Sequence, residues 1–190
     1  MAARFLAVAD VHSRTAALKA IREEAVRHAP HAVIVAGDLT NYGDAGEIQR
    51  VLEGIPGRVL AIPGNLDVWQ AFASGIQRTH AESLLGTEIE IQGVIVAGLS
   101  ERLRACHVLV VHEPPQGILD DVGGGRHIGF PSHLEALHRL QPSVLLCGHC
   151  HESPGVLEHG TTTVVNCTVG RGGRGALVEL DGRKVAARML

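Results

Sequence analysis

The chain has 190 residues, of which 45% are apolar and 19% charged, with a formal net charge of -3; this is the profile of one globular domain large enough to hold a full core. So small a net charge leaves no electrostatic footprint for a nucleic acid or an anionic membrane, and an aromatic content of 3% leaves little for base stacking. No apolar run approaches the roughly 20 residues that span a bilayer, MAARFLAVAD is too short a run for a secretory signal, and the cysteines form no disulfide framework, so a cytoplasmic protein with reduced thiols is expected.

In chain order, Phe5–Ala9 is the first short apolar run, and Leu18, Ile21 and Ala25 then mark a helix that ends near Pro30. Ala32–Ala36 is the second run. Asp44, with Glu47 three residues on, predicts a helix start, and Ile48, Val51, Leu52 and Ile55 fall on one helical face behind it. Three more runs follow at Val59–Ile62, Val94–Ala97 and Val108–Val111. Ser132 and Glu135 predict a capping box ahead of Leu134 and Leu137, and Val144–Cys147 comes next. Thr163–Val165, Ala176–Leu180 and Val185–Ala187 predict a last set of shorter strands. Most of these runs are continuous rather than alternating, which places them in a sheet covered on both faces. The first half therefore reads β-α-β-α-β and the later part is richer in strands. No repeat or linker divides the chain, so residues 1–190 are expected to form a single domain.

The stretches Gly123–Gly125 and Gly170–Gly175 read as flexible loops, because neither has the spacing of a nucleotide-binding loop. Trp69–Gly86 and Gln116–Phe130 are expected to frame the entrance to a site. Cys147 and Cys150 make a C-x-x-C, but a zinc ribbon needs a second pair and the sequence has none.

The chemistry lies just past the buried runs. Phe5–Ala9 leads to Asp10 and His12, Ala32–Ala36 to Asp38, and Val59–Ile62 to Asn65; Val108–Val111 leads to His112, and Val144–Cys147 to His149 and His151. Five strands thus deliver metal-competent side chains at their C-terminal ends, the edge of an open α/β sheet where ligands bind. A single Asp or Asn after a strand would be ordinary turn chemistry; a full series of them is not. Imidazole and carboxylate donors without thiolate suit manganese, iron or zinc. Two such ions a few ångströms apart generate hydroxide at neutral pH and clamp a phosphoryl group for in-line attack. Asp38, with two carboxylate oxygens, could bridge them.

The order Asp10-Val11-His12, Gly37-Asp38, Gly64-Asn65-Leu66-Asp67, His112 and Gly148-His149-Cys150-His151 resembles the calcineurin-like metallophosphoesterases. The resemblance implies an α/β fold, a four-layer αββα sandwich with mixed β-sheets flanked by helices. It implies that Asp10, His12, Asp38 and His151 hold a first metal, and that Asp38, Asn65, His112 and His149 hold a second. His112-Glu113-Pro114-Pro115 and Arg126-His127-Ile128-Gly129 further resemble small prokaryotic members of the family. One position departs from the pattern. Many members carry a proton-handling histidine after the motif asparagine; here that position is Leu66, and Asp67 has lost its expected partner. The departure turns the expectation from alkyl monoesters toward diesters, because an alkoxide leaves poorly without an acid. His127 is a candidate replacement acid, and Asn65 and Arg126 are candidate substrate-binding residues. The expected function is phosphodiester hydrolysis with two transition-metal ions. The expected partner is a small phosphate ester rather than a nucleic acid or a membrane, and a homo-oligomer is left open. The rival is a binding or scaffold protein on the same fold; a scaffold under no catalytic demand should have lost ligands, and none of the seven is missing.

Overall fold

A computed structural model describes residues 2–190. The apolar runs become strands because each can bury both of its faces. In β1 (Ala3–Val8) Phe5 and Ala7 face one core while Leu6 and Val8 face another. In β2 (Ala32–Ala36) Ala32, Ile34 and Ala36 alternate in the same way with Val33 and Val35. Between them α1 (Thr15–His28) lays Ala17, Ile21 and Ala25 on the outer face, and its C-cap Ala29 is left-handed at φ 42° just before Pro30, which cannot extend the helix. The helix α2 (Ala45–Glu53) starts where the sequence predicts: the Asp44 carboxylate accepts from the Glu47 N–H at 2.8 Å.

The strand β3 (Val59–Ile62), the helix α3 (Trp69–Ile76) and the two-residue β4 (Glu82–Ser83) complete the first half. The second begins with β5 (Glu88–Ile91), β6 (Val94–Gly98) and β7 (Val108–Val110), and continues with α4 (Pro131–Leu140) and β8 (Val144–Cys147). Two antiparallel pairs end the chain: β9 (Gly155–His159) with β10 (Thr162–Asn166), and β11 (Ala176–Asp181) with β12 (Lys184–Met189).

Two six-stranded mixed sheets result, ordered β12-β11-β1-β2-β3-β4 and β5-β6-β7-β8-β10-β9. The neighbours β1-β2-β3 are parallel, as are β6-β7-β8-β10, while β11 runs antiparallel to β1. Three apolar clusters separate four layers. One, between the sheets, joins Phe5, Ile34 and Leu60 to Val96, Val144 and Leu146. A second seats α1, α2 and α3 on the first sheet through Ile21, Ile48 and Phe72. The third seats α4 on the second sheet through Leu137, Leu140, Leu109 and Leu145. This is the αββα sandwich. Each large side chain taken fully out of water contributes about 1.5–3 kcal/mol, and only a covered sheet recovers that on both faces.

The start of α4 differs from expectation. Phe130 is its N-cap, no side chain caps it, and Pro131 occupies the first turn. Ser132 therefore lies inside the helix, where it cannot cap; a proline at N1 sets the start instead, since its missing N–H would have gone unpaired there. The helix α3 and the strands β4, β5 and β9 lie outside the expected set.

Candidate metal centre

Each expected ligand sits just past a strand end, and the two sheets bring these ends to one place. Asp10 and His12 follow β1, Asp38 follows β2 and Asn65 follows β3 in the first sheet; His112 follows β7, and His149 and His151 follow β8 in the second. Backbone bonds lock the loops together. Asp10 N–H donates to the Gly37 carbonyl at 3.0 Å, His12 N–H to Asp38 at 3.0 Å, and Gly148 N–H to His112 at 2.8 Å. The turns are strained: Asp10, His12, Asp38 and His149 have φ of 62°, 50°, 52° and 65°. Left-handed backbone costs an L-residue about 1–2 kcal/mol, so its recurrence at four of these positions marks a site rather than idle loops.

Glycine makes the close approaches possible. A Cβ on Gly64 would collide with the Asp38 carboxylate, and one on Gly37 with the His112 ring. The G-D and G-N pairs are therefore packing requirements as well as motif letters.

The donor atoms converge across the seam between the sheets. His12 Nε2 and His151 Nε2 are 3.4 Å apart, and His151 Nε2 is 3.3 Å from Asp10 Oδ1. His112 Nε2 is 3.5 Å from Asp38 Oδ1. Asn65 Oδ1 lies 2.9 Å from His112 Nε2 and 2.9 Å from His149 Nδ1. Two groups have donor atoms all within 4.8 Å of one another, Asp10/His12/His151 and Asp10/Asp38/His112. His112 Nδ1 donates to the Ala36 carbonyl at 2.8 Å, which turns Nε2 toward the centre, where a metal would take the place of its proton. His12 Nδ1 is buried with no hydrogen-bond partner among the described residues.

The buried carboxylates make the centre attractive to positive charge. Burial works to raise Asp10, yet hydrogen bonds from His151 and Thr168 and the His112 charge hold it below the ordinary carboxylate value. Burial likewise opposes a charged His112, but Asp38 and Asp10 outweigh it and push that ring up to about 9. Asp10 also raises His151, whereas burial and then the His112 charge lower His149. Buried carboxylates that draw protons onto their neighbouring imidazoles would draw a divalent cation in the same way. The donor set fits a metal centre: mixed nitrogen and oxygen, with no thiolate aimed inward. The Cys150 thiol points away, toward the Asp121 carbonyl at 3.4 Å.

Above the centre is a cleft of about 460 Å³ lined by His12, Arg14, Asp38, Asn41, Asn65, Leu66, His149, His151 and Gly170. Asp10 and His112 are buried beneath it. Arg14 and Asn41 are lining residues that no sequence motif singled out. The guanidinium of Arg14 is spent on backbone: Nη2 donates to the Asp10 carbonyl at 2.7 Å and to Val169 at 3.0 Å, and Nη1 donates to Gly170. It splints the Asp10 turn to the Gly170 loop. An arginine at a helix N-cap was the available signal, since that position normally takes Ser, Thr, Asp or Asn.

Asp67 does not wait for a histidine partner. Its carboxylate accepts from the N–H of Leu39 (3.0 Å), Thr40 (2.9 Å) and Gly64 (3.0 Å) and from the Thr40 hydroxyl (2.9 Å). It clamps the Asp38 loop to the Asn65 loop, and Leu66 N–H completes the seam by donating to Asp38 Oδ1 at 2.9 Å.

His127 and Arg126 do not line the cleft. They sit on an exposed hairpin in which His127 Nδ1 lies 2.6 Å from the buried Asp120 carboxylate. That hairpin is nevertheless tied to the His149–His151 turn, because the Asp121 carbonyl accepts from Cys150 Sγ and from Ser153 Oγ at 2.6 Å. Of the segments expected at the entrance, Trp69–Gly86 forms α3 and the edge strand β4; none of its residues lines the cleft wall, and Trp69 begins α3 three positions after the lining residue Leu66.

Among the described residues no helix is long and apolar enough to cross a membrane. The family model for the calcineurin-like phosphoesterase superfamily domain matches residues 4–174. A UPF0046 protein of Caenorhabditis elegans is 30% identical over 177 aligned positions, covering 70% of this chain and 61% of the worm protein. The chain thus spans less than two thirds of that relative. In fold, it superposes on TT1561 of Thermus thermophilus with a TM-score of 0.72 at 14% identity, covering 100% of this chain and 99% of the other. A structure described as a novel archaeal phosphodiesterase superposes with a TM-score of 0.62 at 17% identity, covering 98% and 99%. With seven Asp, Asn and His side chains gathered where its matched motifs fall, the chain belongs to the calcineurin-like phosphoesterase superfamily.

Proposed function

We propose that the protein is a phosphodiesterase that works with two transition-metal ions. Asp10, His12, Asp38 and His151 would hold one ion, and Asp38, Asn65, His112 and His149 the other, with Asp38 shared. The observation that supports this most is the convergence of all seven donors from two sheets onto the floor of one cleft. A scaffold protein would have no reason to keep four strained left-handed turns there. When bound, a pair of manganese, iron or zinc ions supplies an activated water at neutral pH and neutralises phosphoryl oxygens.

The protein's own groups do the rest. Asn65 is exposed at the cleft and could present its side-chain amide to a phosphate oxygen. Leu66 handles no proton, which favours substrates whose leaving group departs without one. His127 is the proposed donor for poorer leaving groups: Asp120 holds its Nδ1, and Nε2 would carry the proton to the leaving oxygen. Arg126, beside it and exposed, is proposed to meet the phosphate charge there.

The test is turnover of bis-p-nitrophenyl phosphate against glycerol phosphate by protein reconstituted with each metal in turn. The diester should be hydrolysed faster, and Asp38→Asn should lose both turnover and bound metal. Faster glycerol phosphate hydrolysis would overturn the diester assignment, and a fully metal-loaded, active Asp38→Asn would overturn the shared ligand.

A further inference from the structure

The sequence contains one tyrosine and one tryptophan, Tyr42 and Trp69. Both are exposed, at 69% and 55% of their surface, although a core was available to them. Large aromatic side chains left in water forgo about 1.5–3 kcal/mol each, so their position is informative when they share a region.

Each stands close in sequence to a residue that lines the metal cleft. Asn41 and Leu66 line the metal cleft, and Tyr42 directly follows Asn41. Tyr42 N–H donates to the Leu66 carbonyl at 2.8 Å, which fastens its backbone to the opposite cleft loop. Trp69 is the first residue of α3, three positions beyond Leu66, and its N-cap Val68 is exposed as well. Tyr42 also has φ of 57°. A bulky residue in the left-handed region is an outlier; Asn or Gly would hold the same turn without strain. An aromatic ring is thus kept at a position where it is both strained and unburied, beside the candidate catalytic cleft.

We propose that Tyr42 and Trp69, together with Leu66, form an apolar subsite at the mouth of the cleft that receives a planar aromatic ester group of the substrate. This rests on the phosphoesterase reading above. It extends that reading by giving Leu66 a role: where a proton-handling side chain would stand, an apolar one continues the aromatic surface. A flat apolar group needs faces rather than hydrogen bonds, which suits a rim that carries two exposed rings. Both a nucleobase and a simple aryl alcohol have this chemistry.

The experiment uses manganese-loaded protein and phosphonates that cannot be hydrolysed. Binding of phenylphosphonate, methylphosphonate and a 5′-methylenephosphonate analogue of adenosine is followed by calorimetry and by the fluorescence of Trp69, the only tryptophan. Phenylphosphonate is expected to bind roughly tenfold more tightly than methylphosphonate, as one stacked ring warrants, and to change the Trp69 emission. Trp69→Ala and Tyr42→Asn should each cut that preference without weakening methylphosphonate, and Trp69→Phe should restore it. Asn tolerates the left-handed backbone, so the second variant should fold. Still tighter binding of the adenosine analogue assigns the subsite to a nucleobase, and equal binding assigns it to a simple aryl group. Equal affinity for the phenyl and methyl compounds overturns the subsite while leaving the phosphoesterase reading intact. Failure of all three to bind metal-loaded protein overturns the phosphoesterase reading itself. Variants that change only the oligomeric state in size-exclusion chromatography overturn the subsite in favour of a contact between copies.

Discussion

At the scale of single residues, Asp67 and Asp120 show how the same side-chain type can be tied up or left available to a histidine. Asp67 has four donors on its carboxylate and clamps two loops; it has no oxygen left over to orient an imidazole introduced at Leu66. Asp120 also accepts two backbone N–H groups, from Gly117 and Gly129, but it retains a bond to His127, whose side chain is 49% exposed. The Asp120 hydrogen bond, then its charge, raises the His127 pKa. In Asp120 burial acts upward, but the bond from His127 and those from Gly117 and Gly129 prevail and lower it. An imidazole with a raised pKa stays protonated to higher pH and can donate a proton until the pH passes that raised value. Hydrolysis of diphenyl phosphate, whose leaving group needs protonation, should therefore fall as pH rises through the His127 pKa. His127→Ala should abolish this alkaline limb and slow diphenyl phosphate by about 10²–10⁴-fold, with little effect on bis-p-nitrophenyl phosphate. Asp120→Asn removes the largest raising influence and should move the limb to lower pH. An unchanged profile in His127→Ala would leave that histidine as a loop residue.

At the scale of elements, the strands that matter most for the site were legible in the sequence because their apolar runs are continuous and end abruptly in polar chemistry. Phe5–Ala9, Ala32–Ala36 and Val144–Cys147 match observed strands to within two residues at either end. Their assignment to two sheets was not legible, since a run covered on both faces reads the same in either. Nor was the return of β11 to pair with β1, which depends on contacts across the whole chain. The helix α3 was hidden by its length of 8 residues and by a glycine near its end. That glycine has a packing reason: a Cβ on Gly75 would come within 2.7 Å of the Ala45 carbonyl and 2.8 Å of Ile48 Cβ, so it sets how closely α2 and α3 approach. Two effects oppose each other in Gly75→Ala. Helix propensity gains about 1 kcal/mol, whereas overpacking costs about 1–3 kcal/mol. The collision involves backbone and a buried neighbour rather than a flexible tip, so destabilisation should win by about 1 kcal/mol in urea unfolding. Gly46→Ala in α2, where the nearest atom to the new Cβ would be the Asp44 side chain at 3.3 Å, should be neutral or slightly stabilising. Equal stability of both variants would show that α2 and α3 can part at no cost.

At the scale of the whole molecule, the candidate metal centre lies where the two halves of the sandwich meet. Asp10, His12, Asp38 and Asn65 come from the first sheet, and His112, His149 and His151 from the second. The close donor contacts run between the halves: His151 to Asp10, His112 to Asp38, and Asn65 to His112 and His149. Below them the sheets share an apolar core. At the top, Ala9 and Thr168 form a bridge, and Val169 N–H donates to the Ala9 carbonyl at 2.9 Å. Ions bound by donors from both sheets would cross-link the halves and would bind the folded state alone, because the unfolded chain cannot assemble such a set. Free metal at 100 times its dissociation constant then adds about 2.7 kcal/mol per site. For a domain of this size each kcal/mol raises Tm by about 2–4 °C, so manganese should raise Tm over chelator-treated protein by about 5–10 °C for one filled site and about 10–20 °C for both. The gain should depend on metal concentration. Asp38→Asn, which loses the shared ligand, should lose most of it, and His112→Ala, on the other sheet, should lose the share of the one ion it holds, about half. A full gain retained in His112→Ala would mean that the second sheet's histidine holds no ion, and the cross-linking account would fall.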